Sequence, residues 1–454
     1  MKTDLEDRLR ASMQPLLRLP APERRTSTRP GPSSRWRLVA AMSTAVAVAA
    51  AMVAIILAGR LAGQTASSHT PTPPPIGASA TPSASPTPGV VSGTGSWQIS
   101  ATSMGDLSGV ACVSSGDCWA VGTPITNGGF GSGTTTGGGV ESYSGGTWTS
   151  VPSPSPTGSA WTDLSAVACA SASDCWFVGD YGKESEGPDQ PLVEGDDGGA
   201  WSVVSPPLPT GAVEGALSSV ACQSTGDCWA VGYFSDTNGE PYQPLIEHYS
   251  AGAWTVTAGD LPAGDDNGML SAVSCAGASD CWAVGEGSPQ ISDSTSALIE
   301  HYEGTGWSVA PSPAPTGASG VGAGTSLSGV TCVGVSECWA VGDQTTGGDK
   351  GGVQEPLIEQ YTVGGWTIVD SPTPDDDGLV GVTCAGATEC WAVGNGSVSD
   401  SGDDEPLIES YAGSSWTVVS SGTISIPSWL SAVSCSGSRD CWAVGEGVVD
   451  HYTG

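Results

Sequence analysis

One element, present seven times, constrains this chain more than any other: a cysteine, five residues, a second cysteine and a tryptophan. The pairs are Cys112/Cys118, Cys169/Cys175, Cys222/Cys228, Cys275/Cys281, Cys332/Cys338, Cys384/Cys390 and Cys435/Cys441, and their first members recur every 51 to 57 residues. Each copy reads LSxVxC, five residues, CWAVG, a variable stretch, PLIExY, a short turn and W-T/S-V. The runs are rich in Val, Ile, Trp, Tyr and Thr and are bounded by Gly, Ser and Pro, which is the composition of four antiparallel strands, A to D. Four strands in about 50 residues make a propeller blade. The predicted fold is therefore all-β, a seven-bladed β-propeller over residues 93–454. The last copy stops at strand C (Val448, Val449, Asp450), and the missing strand D stands at the start, as Ser96-Trp97-Gln98-Ile99. One blade built from both termini closes the ring without open edges.

Fourteen cysteines in seven short-range pairs suit an oxidising compartment. All fourteen are counted with the candidate site residues, as disulfides. The five-residue spacing and the four histidines argue against zinc. Closing so short a loop stabilises by roughly 2–2.5 kcal/mol per bridge in the chain-entropy model. Of 17 tryptophans, fourteen occupy two repeated places, after the second Cys and at the start of strand D, where their size suits the gaps between blades.

Before the propeller the composition changes. Residues 1–37 form a basic tail with nine Lys/Arg, and 38–59 are 22 uncharged residues, enough to cross a bilayer as one transmembrane helix. The positive side stays inside, so the tail is expected in the cytoplasm and the propeller outside the cell membrane. The long leader and the poor cleavage site near Leu61-Ala62-Gly63 favour an uncleaved anchor over a signal peptide. Residues 60–92, rich in Pro, Ser and Thr, read as an extended stalk. In the tail, Leu5, Leu9, Met13 and Leu16 have the spacing of a marginal amphipathic helix.

Residues 61–454 hold 43 acids against Lys183, Lys350 and Arg439. Such a surface repels nucleic acid and anionic headgroups. Acids recur inside the repeat too. One precedes each second Cys (Asp117, Asp174, Asp227, Asp280, Glu337, Glu389, Asp440), where it is expected to accept loop N–H groups. Another lies in each strand C (Glu141, Glu194, Glu247, Glu300, Glu359, Glu409, Asp450). Three basic residues cannot pair them all, so each is expected to accept a hydrogen bond from a Trp indole or a backbone N–H.

The run CWAVG, a loop, LIExY, a turn, W-T-V and a Pro-rich link resembles the kelch repeat of propellers, across all seven copies. It departs from that repeat in two ways: a single Gly followed by a polar residue replaces the paired glycines, and the Cys pair is additional. Repeats of this kind also resemble those of secreted and membrane-anchored bacterial proteins without assigned activity. The resemblance implies a domain that binds proteins or sugars.

The A–B and C–D turns are short and alike in every copy, whereas the B–C and D–A connections are long and different, as in 123–139, 180–190, 233–243 and 343–355. Variable loops on a rigid scaffold are where binding is expected. The residues after strand B should ring the central opening there: Thr123, Asp180, Tyr233, Glu286, Asp343, Asn395 and Glu446. Trp161 and Trp429, outside the repeat, fall in D–A loops on the same face, to stack on a sugar, anchor a protein or pack on the next blade. The runs Asp375-Asp376-Asp377-Gly378, Asp265-Asp266-Asn267-Gly268 and Asp236-Thr237-Asn238-Gly239-Glu240 are candidates for Ca2+.

One Arg in the outer part is too few for a sialidase-type site. Paired cysteines leave none for a copper radical oxidase, and His248, His301 and His451 occupy a position filled elsewhere by Ser142, Gly195, Gln360 and Ser410, which reads as a tolerant surface site. The expected function is a monomeric, membrane-anchored recognition or adhesion module for a glycan or an extracellular protein. The alternatives are a carboxylate-dependent glycoside hydrolase or lyase, and an envelope sensor reporting through the tail.

Overall fold

The computed structural model describes residues 95–454, apart from 101–104, 124–137, 185–186, 198–199, 238, 290–293, 314–322, 347–352, 374–376, 398–403 and 420–427. The tail, the apolar segment 38–59 and the stalk lie outside the described residues. The described chain forms seven four-stranded antiparallel sheets, and in six of them the strands follow sequence order. The seventh is closed as expected: Ser96–Ser100 pairs with Val448–Thr453, Trp97 opposite Tyr452. Gly89–Gly454 is one compact unit, and its ring is closed by its own first strand.

Blade 4 shows why this sequence makes such a sheet. Strand A (Asn267–Gly277) turns through two residues into strand B (Asp280–Ser288), which pairs with strand C (Ser296–Tyr302) and through it with strand D (Trp307–Val309). Cys275 and Cys281 are direct cross-strand partners with Cα atoms 3.9 Å apart, the close-approach pairing of an antiparallel ladder. The Gly ending CWAVG is fixed by a close approach. A Cβ on Gly285 would lie 2.0 Å from the Met269 carbonyl oxygen, just where strand A carries a bulge between Leu270 and Ala272.

All seven Cys pairs are bridged as expected: Cys112–Cys118, Cys169–Cys175, Cys222–Cys228, Cys275–Cys281, Cys332–Cys338, Cys384–Cys390 and Cys435–Cys441, with Cα separations of 3.9 to 4.1 Å. The two members of each bridge differ in burial. The second members, Cys118, Cys175, Cys228, Cys281, Cys338, Cys390 and Cys441, are sealed from solvent at 0 to 1 % exposure. Each belongs to one of the seven hydrophobic clusters between blades. Cys118, for example, packs with Trp442 and Val444 of the neighbouring blade, and Cys175 with Val121 and Val140. The physical reason is strand alternation: residues two apart on strand B, such as Cys281 and Ala283, share the face turned into one cluster. These cysteines are core residues as well as bridges, and none is open to a ligand. The first members, Cys112 and its equivalents, are only partly buried.

The core sits between blades. Trp282, Val284 and Ile299 of blade 4 pack with Leu327, Val330, Leu357 and Trp366 of blade 5. Trp282 meets Trp366 edge-on at 5.2 Å and Tyr361 at 4.5 Å. The same pair recurs at the ring closure, where Trp391 meets Trp97 at 5.3 Å and Trp442 meets Trp148 at 5.3 Å. Blade 2 has Asp196 where other blades have this Tyr, and Phe177 in place of the usual Ala supplies an aromatic ring 4.9 Å from Trp201.

The strand C acids are all seven at 0 % exposure; the expected backbone N–H serves Glu300, whereas three others are met by side-chain hydroxyls. Ser153 donates to Glu194 (2.5 Å), Ser312 to Glu359 (2.8 Å), and Ser371 (2.7 Å) together with Thr373 to Glu409. Each donor lies in the link leaving the preceding blade, five residues after its strand D Trp in the three serine cases. These hydrogen bonds tie one blade to the next. At that position blade 3 has Gly259, and Glu300 accepts the Asp260 backbone N–H (3.2 Å). Blade 2 has Pro206, which has no side-chain donor, and both Glu247 oxygens are buried without a hydrogen-bond partner. The indole N–H groups of Trp176, Trp229, Trp282 and Trp339 make no hydrogen bond either. Trp therefore fills the interface, and a serine serves one oxygen of Glu194, Glu359 and Glu409. Burial pushes the Glu247 and Glu300 carboxyls up to about 8, Glu194 and Glu359 to about 7, and Asp450 to about 6.

The histidines are not the tolerant surface positions the sequence reading made them. His248 Nε2 lies 2.9 Å from Asp227, His301 2.8 Å from Asp280 and His451 2.5 Å from Asp440. Each ring also stacks at 3.8 Å on the Trp after the second Cys of its own blade. In these blades the acid before that Cys faces an imidazole.

Candidate functional site

The seven residues after the Gly of CWAVG occupy one repeated position, opposite the start of strand A or bridged to it; six lie inside strand B rather than after it, and only Glu446 follows its strand. Thr123 pairs with Asp106, Asp180 with Asp163, Tyr233 with Ala216, Glu286 with Met269, Asp343 with Ser326 and Asn395 with Gly378. Glu446 donates its N–H to the Trp429 carbonyl and bridges to Asp106 of blade 1. The first strands of successive blades contact one another around the whole ring, so these positions encircle one end of its axis.

The ring is uneven. Around blades 2 and 3 it carries Asp163, Asp180 and Asp189. Burial, then Asp189 and Asp163, push the Asp180 carboxyl up to about 7. Burial also raises Asp163 and Asp189, against hydrogen bonds from Thr123 (3.5 Å) and Tyr233 (3.4 Å). Tyr233 lies against Tyr242 at 4.7 Å. Around blades 4 and 5 the ring carries Glu286 and Asp343. Glu286 is raised by burial and then by Asp343, whose own carboxyl is raised by burial and accepts from Ser326 (3.0 Å). Each cluster holds protons more tightly than ordinary carboxylates do.

The two extra tryptophans are not equivalent. Trp161 begins strand A of blade 2, donates its indole N–H to the Glu184 carbonyl (3.3 Å), and is half-buried over Gly182. It is pinned to its own blade. Trp429 stands immediately before strand A of blade 7 and is 40 % exposed. The B–C connection beside it is short, strand B ending at Gly445 and strand C beginning at Val448. The expectation of a long B–C loop in every blade therefore fails in blade 7, where no long loop rises beside the Trp429 ring. Asp106, Asp163 and Asp189 were missed in the sequence. The repeated Asp-Leu-Ser at 106–108 and 163–165 was a usable signal for the first two.

Among the described residues, no group of three or more His, Cys, Asp or Glu side chains is placed to hold a metal ion. Within one candidate Ca2+ run, Asp265 accepts from Ser296 (2.6 Å) and Asn267 accepts the Tyr242 N–H (2.7 Å), so both brace neighbouring loops. Asp375, Asp376 and Asn238, in the other two runs, lie outside the described residues.

No protein-family model matches the chain, and no curated protein matches it. Solved propellers do. An ulvan lyase, from a polysaccharide lyase family and bound to a saccharide of GlcA and Rha3S units, is 9% identical over 79% of this chain and 96% of that chain, with a TM-score of 0.50. Streptogramin B lyase is 15% identical over 79% of this chain and 97% of that one, with a TM-score of 0.49. YCF48 bound to a D1 peptide is 13% identical over 79% and 95%, also with a TM-score of 0.49. Identities this low speak to fold alone. The class that fold and repeat define is a seven-bladed β-propeller with one disulfide in every blade.

Proposed function

We propose that this chain is a membrane-anchored, extracellular recognition module, kelch-like in its repeat, that binds a glycan or a protein partner through the B–C/D–A face. The observation that carries this reading is Trp429. The repeat tryptophans are spent between blades, whereas Trp429 stands 40 % exposed beside the ring of variable residues. An exposed large aromatic is a common anchor for a partner. The disulfides and the apolar segment 38–59 support the extracellular, anchored placement. The test is to secrete residues 93–454 and screen them against a glycan array and a panel of extracellular proteins, with and without Ca2+. Binding that Trp429→Ala abolishes, with an unchanged melting temperature, is the expected result. Binding indifferent to Trp429→Ala and to Trp161→Ala would remove the face from consideration.

A second reading has its own observation. Glu286 and Asp343 lie close enough for one to affect the other's ionisation, and both are raised. A carboxyl that keeps its proton beside one that ionises is the equipment of a glycoside hydrolase or lyase. Release of reducing ends from a polysaccharide, lost in Glu286→Gln or Asp343→Asn, would establish it.

A further inference from the structure

Every blade carries, on its innermost strand, one residue that the sheet skips. The pairing of strand A with strand B jumps a position after the Leu, as between Leu217 and Ser219 and between Leu270 and Ala272. The skipped residues are Ser108, Ser165, Ser218, Ser271, Ser328 and Ser431, with Val380 in blade 6. The Leu before each of them and the Val two positions after it lie in the clusters between blades. Strand B covers the outer edge of strand A, and neighbouring A strands touch around the ring. Solvent therefore reaches the skipped residues from the axis, and each of the seven is at least partly exposed.

The six hydroxyls are uncommitted. Other serines of the same strands serve the fold: Ser219, Ser274 and Ser434 accept the N–H groups of Val273 (3.2 Å), Cys332 (3.1 Å) and Cys112 (3.1 Å) in the next blade. Among the described residues, the hydroxyls at the skipped positions make no such bond. Nor does the sheet need a hydroxyl there, because blade 6 has Val380 and keeps the same register.

Two positions nearer the loop face stands the rim residue of each strand A. It is Trp429 before Ser431, Asp106 before Ser108 and Asp163 before Ser165. Before Ser271 and Ser328 the rim residues are Met269 and Ser326, whose cross-strand partners are Glu286 and Asp343. No rim or skipped position holds Lys or Arg. The axial mouth thus joins an exposed indole, several carboxyls and a circle of free hydroxyls. A saccharide uses all three: a flat apolar surface for its C–H face, acceptors for its O–H groups, and hydroxyls that both donate and accept. A peptide side chain would engage one or two of the six serines, whereas a sugar carries several hydroxyls on every ring. An anionic sugar would meet carboxylates with no cation to offset them.

We propose that the axial mouth on the loop face binds a neutral saccharide, with one sugar ring stacked on Trp429 and sugar hydroxyls bonded to the skipped serines and the rim carboxyls. This names the ligand class of the recognition module and rests on that reading.

The test exposes secreted residues 93–454 to an array of neutral oligosaccharides, of oligosaccharides bearing uronate or sulfate, and of randomised peptides. Neutral sugars should bind and anionic ones should not. The best neutral sugar should bind about tenfold more weakly to Ser108→Val/Ser431→Val, which removes two hydroxyls, and at least about tenfold more weakly to Trp429→Ala. Valine is what blade 6 itself carries at this position, so the double variant should fold, and its melting temperature checks that. Should it not fold, Ser108→Ala, at the one serine of the six that is exposed, gives a smaller loss in the same direction. Ser219→Ala, whose hydroxyl is bonded to the next blade, should melt lower and bind as the parent does. Preference for anionic sugars, or sugar binding indifferent to the serine variants, would overturn the proposal. A peptide bound and then lost in Trp429→Ala, with no sugar bound, would overturn it while leaving the recognition module intact. Failure of every probe to bind would overturn both.

Discussion

The two faces of the propeller come from the same seven repeats, yet they follow different rules. On the turn face every blade repeats one solution: a disulfide across the A–B hairpin, with a His–Asp pair on Trp in three blades. On the loop face the described residues differ from blade to blade. Asp180 is crowded by acids, Tyr233 lies against Tyr242, Glu286 is raised by burial and by the charge of Asp343, and Trp429 is exposed. Repetition marks what the ring needs to close, and variation marks where one blade has been given a task the others lack.

If that division is right, breaking the turn face should cost stability and spare binding. Reducing all seven disulfides should have the largest effect. At roughly 2–2.5 kcal/mol each they total on the order of 15 kcal/mol, which matches the whole stability of an ordinary domain, about 5–15 kcal/mol. Unfolding by reductant alone, followed by tryptophan fluorescence, is expected. A single pair, Cys275→Ser/Cys281→Ser, should lower stability by about 2 kcal/mol or more in denaturant titration, because Cys281 is also a core residue. What the loop face binds should not change.

The buried acids between the faces give the next effect. Their folded-state proton affinities are raised from 4.5 to about 8 in Glu247 and Glu300 and to about 7 in Glu194 and Glu359. A raised carboxyl contributes stability that is full below its unfolded value and lost as pH climbs through its folded value. The melting temperature should therefore fall across the window from about 4.5 to about 8. In Glu247→Gln that fall should be shallower; an unchanged slope would show that Glu247 is not buried as described.

Comparing two blade interfaces sharpens this further. Pro206 leaves Glu247 without a donor, whereas Ser312 serves Glu359. Pro206→Ser should supply the missing hydrogen bond and raise stability by about 1 kcal/mol, whereas Ser312→Ala should cost about 1–3 kcal/mol by orphaning a buried acceptor. Both are read by denaturant midpoint, and a stabilising Ser312→Ala would contradict the inter-blade role. Smallest of all, His301→Ala removes a partly exposed pair with Asp280 and one stacked ring; about 1 kcal/mol or less is expected.

What could be read in the sequence follows from where partners lie along the chain. Strand number, ring closure, the Cys pairs and the packing role of Trp are features within a blade, or recur at a fixed spacing. That the second Cys of each pair is core and the first is not depends on which face of strand B meets the next blade, and spacing alone does not say. The serine clamps are further from reach. Ser312 and Glu359 are 47 positions apart, and Ser153 and Glu194 are 41 apart, in successive blades. Only the angle at which blades meet brings them together. Likewise His301 and Asp280 meet because strand C lies beside strand B, although they are 21 positions apart. The ring positions were legible because they follow a repeated Gly.

The central claim, that the loop face recognises and the turn face holds, is tested most directly by carrying Trp429→Ala and His301→Ala through the same binding screen and the same melting experiment. Trp429→Ala should lose binding with its melting temperature unchanged, and His301→Ala should lose a little stability with its binding unchanged. Loss of binding in a well-folded His301→Ala protein, with Trp429→Ala binding as the parent does, would place recognition on the other face.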